Sequence, residues 1–371
     1  MPRRLDARDP ASRDAAIGRA AALLRAGSLV AFPTETVYGL GANARDAAAV
    51  ARVYALKGRP RRHPLIVHLS DAEAMADWAA EVPGAAVSLA AAFWPGPLTL
   101  VLRARDDVPV SVTGGAATVA LRVPGHPLAL ALLRALGEGV AAPSANRYGR
   151  VSPTCAEHVL AEFAGASRAA AEALVVLDGG PCAVGLESTI VDLSGSVARV
   201  LRPGAISARE LAAVIGPLAS PGATPRPPVP GDQARHYAPD VATRLVEAAE
   251  LARVPDTVAV LARRGPPAER PLDAAPWLGL GYDASAYGRE LYAALRVLEA
   301  SHPRSIWIER VPGDEAWHAV ADRLQRAASP ADADGASPAD ADGVSPADAD
   351  GACPAEADVA SPASDPREEI A

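Results

Sequence analysis

Residues 28–69, SLVAFPTETVYGLGANARDAAAVARVYALKGRPRRHPLIVHL, constrain the fold more than any other part of the chain. Ser28 to Phe32 is a short apolar run after Gly27, and Leu65 to Leu69 is a second, partly β-branched one; both have the length of buried strands. Pro33 stops the first run, and a loop of small, hydroxyl and glycine residues is expected after it. From Asp46 to Leu56 the apolar residues Val50, Val53 and Leu56 recur at helical spacing. Strand, loop, helix, strand reads as a βαβ unit, whose ligands sit in the loops beyond the strand ends.

The rest of the chain extends this pattern. Ala11 to Ala26 is an amphipathic helix with Ile17, Leu23 and Leu24 inward and Gly27 as its stop. Helices are expected at Asp71–Ala80, Ala85–Phe93 and His126–Leu136. Strands are expected at Leu98–Leu102, Thr118–Val123, Val140–Ala142 and Leu174–Asp178, with Thr189–Leu193 and Arg199–Leu201 as an antiparallel hairpin. The fold class is α/β, with a twisted mixed sheet. Six prolines from Pro217 to Pro230 mark an extended, semi-stiff linker. Beyond it, strands at Thr257–Leu261 and Ser305–Ile308 alternate with helices at Ala286–Leu298 and Glu315–Arg326, which suits a second, smaller Rossmann-like α/β domain. The expected divisions are 1–216, a linker or lid at 217–240, 241–327, and a tail at 328–371.

That tail repeats SPADADGA, SPADADGV and SPADADGA, then decays to CPAEADVA. Each unit has acids and a proline and almost nothing to bury, so disorder is the expectation. The tail carries 11 acids against one arginine, Arg367, and so accounts for the chain's net charge of -8. The remainder is close to neutral, without the strongly basic domain of a dedicated nucleic-acid binder. No apolar run reaches the roughly 18 residues of a membrane span. The N-terminus lacks an apolar signal core, and Cys155, Cys182 and Cys353 have no CxxC spacing. A cytoplasmic location is expected.

Lys57 is the only lysine among 36 basic side chains of the Lys and Arg type. An ammonium is a compact charge with rotatable donors, and a guanidinium is a wide planar fork. A lone lysine therefore points to chemistry that arginine cannot do, or else to a helix-end cation that suits the macrodipole. Asparagine occurs only at Asn43 and Asn146. There is no GxGxxG, Walker A, HExxH or GxSxG motif, and the histidines are too scattered for a dedicated zinc site. Instead, polar residues gather at strand ends: Thr34, Thr36 and Tyr38; His68; Arg122; Ser144 and Asn146; Glu187, Ser188 and Thr189; and Arg202. With Lys57 and Arg59 they suit an anionic ligand bearing a polyphosphate and a carboxylate. Taken singly, the arginines also fit a solvated surface, His68 a satisfied core histidine and the hydroxyls turn formers.

PTETVYGLG, KGRPRRHPLIVHL, WPGPLTLVL, VALRVPGHP, APSAN, SPT, GLESTIVD and LRPGAI, in that order, resemble the successive signatures of the YrdC-like family. The PGDQARHYAPD linker and the small C-terminal domain resemble its two-domain form. The match is strong over about residues 12 to 240 and weak over about 241 to 327; the acidic tail has no counterpart. The resemblance implies synthesis of L-threonylcarbamoyl-AMP from L-threonine, bicarbonate and ATP with release of pyrophosphate. That is the first step toward N6-threonylcarbamoyladenosine in tRNA, and downstream transfer proteins would take up the product. It implies a threonine side at Thr36, His68, Arg122, Ala142 and Ser188. It implies an ATP side at Lys57, Arg59, His63, Thr118, Ser144, Asn146, Ser152, Arg202 and Tyr237, with Lys57, Arg59, Ser144 and Asn146 nearest the chemistry. His63 stands where the family pattern has asparagine. Mg2+ is expected on the triphosphate, and any direct binding of tRNA would be weak.

Two other classes compete. An RNA-binding module would use the arginine-lined face without chemistry, but the near-neutral charge and sparse aromatics speak against it. A carbamoyltransferase-type enzyme would carry CxxC pairs and an acylphosphatase segment, and neither is found.

Overall fold

The protein is described from a computed structural model, which covers residues 2–167, 174–219, 227–231 and 233–330. The acidic repeats lie outside the described residues. A ten-stranded mixed sheet dominates. Its strands are β1 (Arg3–Asp6), β2 (Leu29–Phe32), β3 (Gly39–Asn43), β4 (Ile66–His68), β5 (Leu98–Arg103), β6 (Thr118–Arg122), β7 (Val140–Ala141), β8 (Leu174–Asp178), β9 (Thr189–Asp192) and β10 (Arg199–Arg202). Across the sheet they run β1-β8-β2-β3-β7-β4-β6-β5-β9-β10. Residues alternate between faces as strand geometry requires. On β2, Leu29 and Ala31 join one core, with α2 (Ala47–Lys57) and α3 (Gly84–Phe93). Val30 and Phe32 join the core on the other face, with α1 (Pro10–Arg25) and α5 (Pro127–Leu136). Among the described residues, the remaining helices of this part are α4 (Val110–Thr113), α6 (Ala156–Glu162) and α7 (Ala208–Ile215).

Three expectations need correction. The stretch after Pro33 is not all loop, because Gly39–Asn43 forms β3, antiparallel to β2. A Cβ on Gly41 would lie 2.8 Å from both the Phe32 ring and Val140, so the strand passes where only glycine fits and carries little β propensity. The βαβ unit therefore starts one strand later. β2 and β4 are separated by three antiparallel pairings and run opposite ways, whereas β3, α2 and β4 form a parallel crossover that skips β7. Asp71–Ala80 is not a helix but holds a short 3-10 turn at Glu73–Asp77, which has no side-chain cap at its start. Elsewhere β9 and β10 form the expected antiparallel hairpin.

The C-terminal residues form a separate four-stranded sheet, parallel throughout, in the order β11 (Thr243–Val246), β14 (Ser305–Glu309), β12 (Val258–Ala262), β13 (Trp277–Gly279). Helices α8 (Ala284–Ala300) and α9 (His318–Ala327) cover it. Their core, with Leu291, Leu295 and Leu324, also takes in Val37, Val151, Leu186 and Tyr237 from the larger part. Loop residues of the larger part are thus built into the core of the smaller sheet.

Candidate active site

The site lies on one face of the large sheet, where Ile66, Ala120, Ile190 and Leu201 form a small apolar patch under Val229. Alternation puts His68 beside Ile66 and Arg122 beside Ala120 on that face. β4 and β6 are parallel and in register, with His68 opposite Arg122. Arg122 is 3 % exposed; it donates from Nη2 to Glu35 Oε1 at 2.6 Å and from Nε to the Gly96 carbonyl at 3.3 Å. The other oxygen of Glu35 accepts from the Gly125 amide. Next to them the Thr34 and Thr36 hydroxyls sit 2.8 Å apart, both buried.

The second edge is built from the end of α2 and the loop after β7. Asp46 caps the start of α2 by accepting from the amides of Ala48 and Ala49. Val50 and Val53 fix the helix against the sheet, and its last residue, Lys57, lines the cavity. Lys57 Nζ donates to the Ser144 carbonyl at 2.6 Å and to the Asn146 carbonyl. In the protonated form that leaves one of three N–H groups for a ligand. Burial, then the neighbouring Arg59 charge, push Lys57 well below the usual lysine range. Arg59, also buried, donates to the carbonyls of His63 and Pro64. Asn146 spends its amide group on the Arg147 and Arg150 carbonyls, and its Oδ1 has no partner among the described residues.

The third edge joins β9, β10 and the segment beyond the proline-rich run. Arg202 donates to the Ser188 carbonyl from Nε and Nη2, to the Ser188 hydroxyl from Nη2, and to the Pro230 carbonyl from Nη1. Pro230, Gly231, His236 and Tyr237 also line the cavity. Tyr237 is 1 % exposed with φ of 59°, an unusual backbone for an aromatic residue. Its hydroxyl and His236 Nδ1 have no partner among the described residues. Burial, then the charges of Arg59, Lys57, Arg202 and Arg326, hold His236 well below the usual imidazole range.

Of the residues expected from sequence, Thr36, His68, Arg122, Ala142 and Ser188 all line this cavity, as do Lys57, Arg59, Ser144, Asn146, Arg202 and Tyr237. Three stand outside it. Thr118 opens β6, at the opposite end from Arg122. Ser152 is fully buried and donates to Glu187 Oε1 at 2.6 Å. His63 faces the Tyr148 hydroxyl at 2.8 Å and the Gln233 amide at 2.7 Å through Nδ1. The sequence reading missed Glu35, which sits inside the PTETVYGLG signature, and Tyr148, whose ring lies 5.9 Å from the Arg59 guanidinium.

His68 supplies a test of this burial. Desolvation, then the Arg122 charge, lower its pKa to about 3. The unfolded chain takes up that proton near pH 6.5, so between about pH 3 and 6.5 it binds more protons than the folded one. Stability then falls as pH drops through that window and is fully present above it. The melting temperature of His68→Gln is expected to decline less steeply from pH 7 to pH 4 than that of the wild type; parallel profiles would show that His68 is not buried as described.

A family profile described as telomere recombination matches residues 22–204, and one described as the C-terminal domain of threonylcarbamoyl-AMP synthase matches residues 206–329. The threonylcarbamoyl-AMP synthase of Bacillus subtilis is 39% identical over 331 residues, which span 85% of this chain and 94% of that one. That of Pyrococcus abyssi is 39% identical over 321 residues, 83% of this chain and 93% of its own. The crystal structure of P. abyssi Sua5 complexed with L-threonine aligns with a TM-score of 0.78 at 36% identity, covering 88% of this chain and 97% of that one.

Proposed function

The chain belongs to the threonylcarbamoyl-AMP synthase family, and from that premise we propose that the cavity between β4, β6, α2 and β10 binds L-threonine and ATP side by side. The enzyme makes L-threonylcarbamoyl-AMP, the first step of threonylcarbamoyladenosine formation in tRNA. One observation carries the placement: Lys57, Arg59, Arg122 and Arg202 are four buried cations around one cavity. Buried charges need compensation; Glu35 and backbone carbonyls supply part of it, and a triphosphate and a carboxylate would add to it.

Arg122 would hold the threonine carboxylate, with neutral His68 and Thr36 beside it. The threonine nitrogen attacks the carbon of bicarbonate and loses a proton, a C–O bond of the bicarbonate breaks and water leaves, giving a carbamate. A carbamate oxygen then attacks the α-phosphorus, and the bond to pyrophosphate breaks. Lys57 and Arg59 would stabilise the charge that develops on the phosphates. The incoming triphosphate favours the protonated form of Lys57 that burial disfavours. Catalysis on this reading is positioning and charge stabilisation.

Pro230, Gly231, His236 and Tyr237 line the same cavity as the substrate-side residues, and on this reading they shift to admit ATP and close again over it. The αL backbone of Tyr237 costs on the order of 1–3 kcal/mol and marks a segment held in a particular position. A chain ending after Pro230 is expected to lose turnover, and one ending at residue 328 is expected to keep it; steady-state pyrophosphate release checks both, and full activity in the shorter chain would overturn the lid.

Among the described residues no three His, Cys, Asp or Glu side chains gather as a metal site. Mg2+ would arrive on the triphosphate, held by phosphate oxygens and water. No described helix is long and apolar enough to cross a membrane, and a cytoplasmic location is part of the same proposal. Downstream transfer proteins would consume the product, and we propose at most weak direct contact with tRNA. The deciding experiment is mass spectrometry of the protein with ATP, bicarbonate and L-threonine. Threonylcarbamoyl-AMP is the expected product, and its absence would overturn the reading.

A further inference from the structure

Glu187 lines the cavity immediately before Ser188, and it is 6 % exposed. Its partners come from a loop of the larger part and from two C-terminal helices. Ser152 donates to Oε1; Tyr292, on α8, donates to Oε2 at 2.8 Å; Arg323, on α9, donates to Oε2 from Nε at 2.9 Å. Arg323 is 0 % exposed and also donates from Nη2 to the Pro203 carbonyl. Its guanidinium lies 5.2 Å from the Tyr237 ring, and the Tyr237 and Tyr292 rings stack at 5.7 Å. One turn on, Arg326 donates to the Gln233 carbonyl, and its own carbonyl accepts from the His236 amide. The helix pair therefore grips the floor of the cavity at Glu187 and the segment above it at Gln233, His236 and Tyr237.

The sequence is built for this approach. A Cβ on Gly185 would lie 2.5 Å from the Arg289 backbone, so α8 presses on the loop that carries Glu187. A buried carboxylate with a buried guanidinium is weak evidence for added stability, because desolvation offsets the attraction. What such a pair does supply is a fixed geometry, with Oε2 held by two donors of different helices.

We propose that Arg323 and Tyr292 are positioning residues of the active site, acting through Glu187 and Tyr237, so that the C-terminal helices set both the Ser188–Arg202 floor and the closed place of the segment above. This rests on the cavity being the ATP and threonine site. The C-terminal part is on this view a working component of the active site and not an appended domain.

Three full-length variants test it: Tyr292→Phe, Arg323→Lys and Arg323→Gln. Tyr292→Phe keeps the ring stack and removes one donor to a charged acceptor, a loss on the order of tenfold. Arg323→Lys keeps the charge beside Glu187 but not the bond to Pro203 or the planar face over Tyr237. Arg323→Gln loses the charge as well. The expected order of kcat is wild type, then Tyr292→Phe and Arg323→Lys, then Arg323→Gln, with the threonine KM moving less than the ATP KM. Calorimetric ATP affinity and amide-exchange protection of residues 233–238 should fall in the same order, and neither readout needs turnover. If wild type formed no threonylcarbamoyl-AMP, the assigned reaction would fail, while these two would still report the grip. The inference is overturned if both Arg323 variants match wild type in ATP affinity and protection. It is also overturned if activity falls only in step with the melting temperature and returns on cooling.

Discussion

Replacing Lys57 by arginine is expected to lower turnover on the order of 100-fold, with the melting temperature moving by a few degrees at most. The substitution keeps the charge and changes its shape. Lys57 Nζ lies between the carbonyls of Ser144 and Asn146, and the side chain is 3 % exposed. A guanidinium cannot place its charge at that point, and its extra atoms must be fitted into a packed site. Displacing a positioned group by about 1 Å can cost about 100-fold, or roughly 2.7 kcal/mol of transition-state stabilisation. A passive helix-end cation would tolerate the change, and this chain otherwise uses arginine for every such role. Pyrophosphate release by Lys57→Arg, beside the exposed Arg52→Lys on the same helix, separates the two. Near-full activity in both variants would make the lone lysine an accident of composition.

Arg122→Ala is expected to weaken threonine by more than about 100-fold and ATP by only a few-fold. Breaking a buried charged pair on one side costs roughly 3–5 kcal/mol, and roughly 1.4 kcal/mol is tenfold. In the protein without substrate, Glu35 already partners Arg122, and a substrate carboxylate would share or replace that contact. Glu35→Gln is therefore the companion variant. It leaves the guanidinium in place and should change threonine affinity far less than Arg122→Ala does. Calorimetric titration with each substrate decides the matter, and equal losses of threonine and ATP would remove Arg122 from the carboxylate.

The cations of the site were legible because residue type carries the signal: one lysine in an arginine-rich chain, and arginines at strand ends. Their partners were not. Glu35 is 87 residues from Arg122, and Glu187 is 136 residues from Arg323, distances over which no local pattern speaks. Strands that are short apolar runs, such as Leu98–Arg103, were readable. Gly39–Asn43 was not, because its glycines are chosen for close approach to Phe32 and Val140. Arg3–Asp6 has only Leu5 as an apolar residue and pairs only with β8 at the sheet edge. The helix at Ala208–Ile215 had a signal that went unused, since Ser207 and Glu210 form a reciprocal capping box.

The pairing of Glu187 with Arg323 also has a consequence in time. A chain is made from its N-terminus, at roughly 5–20 residues per second. The 136 residues between the two partners therefore take on the order of 10 s to appear. During that interval the large sheet can assemble, with Glu187 bonded first to Ser152 and then, once α8 is made, to Tyr292. The nascent chain thus holds Glu187 without the Arg323 guanidinium until α9 emerges, with the nearby Arg202 charge as its earlier compensation, and the bonding of this carboxylate is completed late in synthesis.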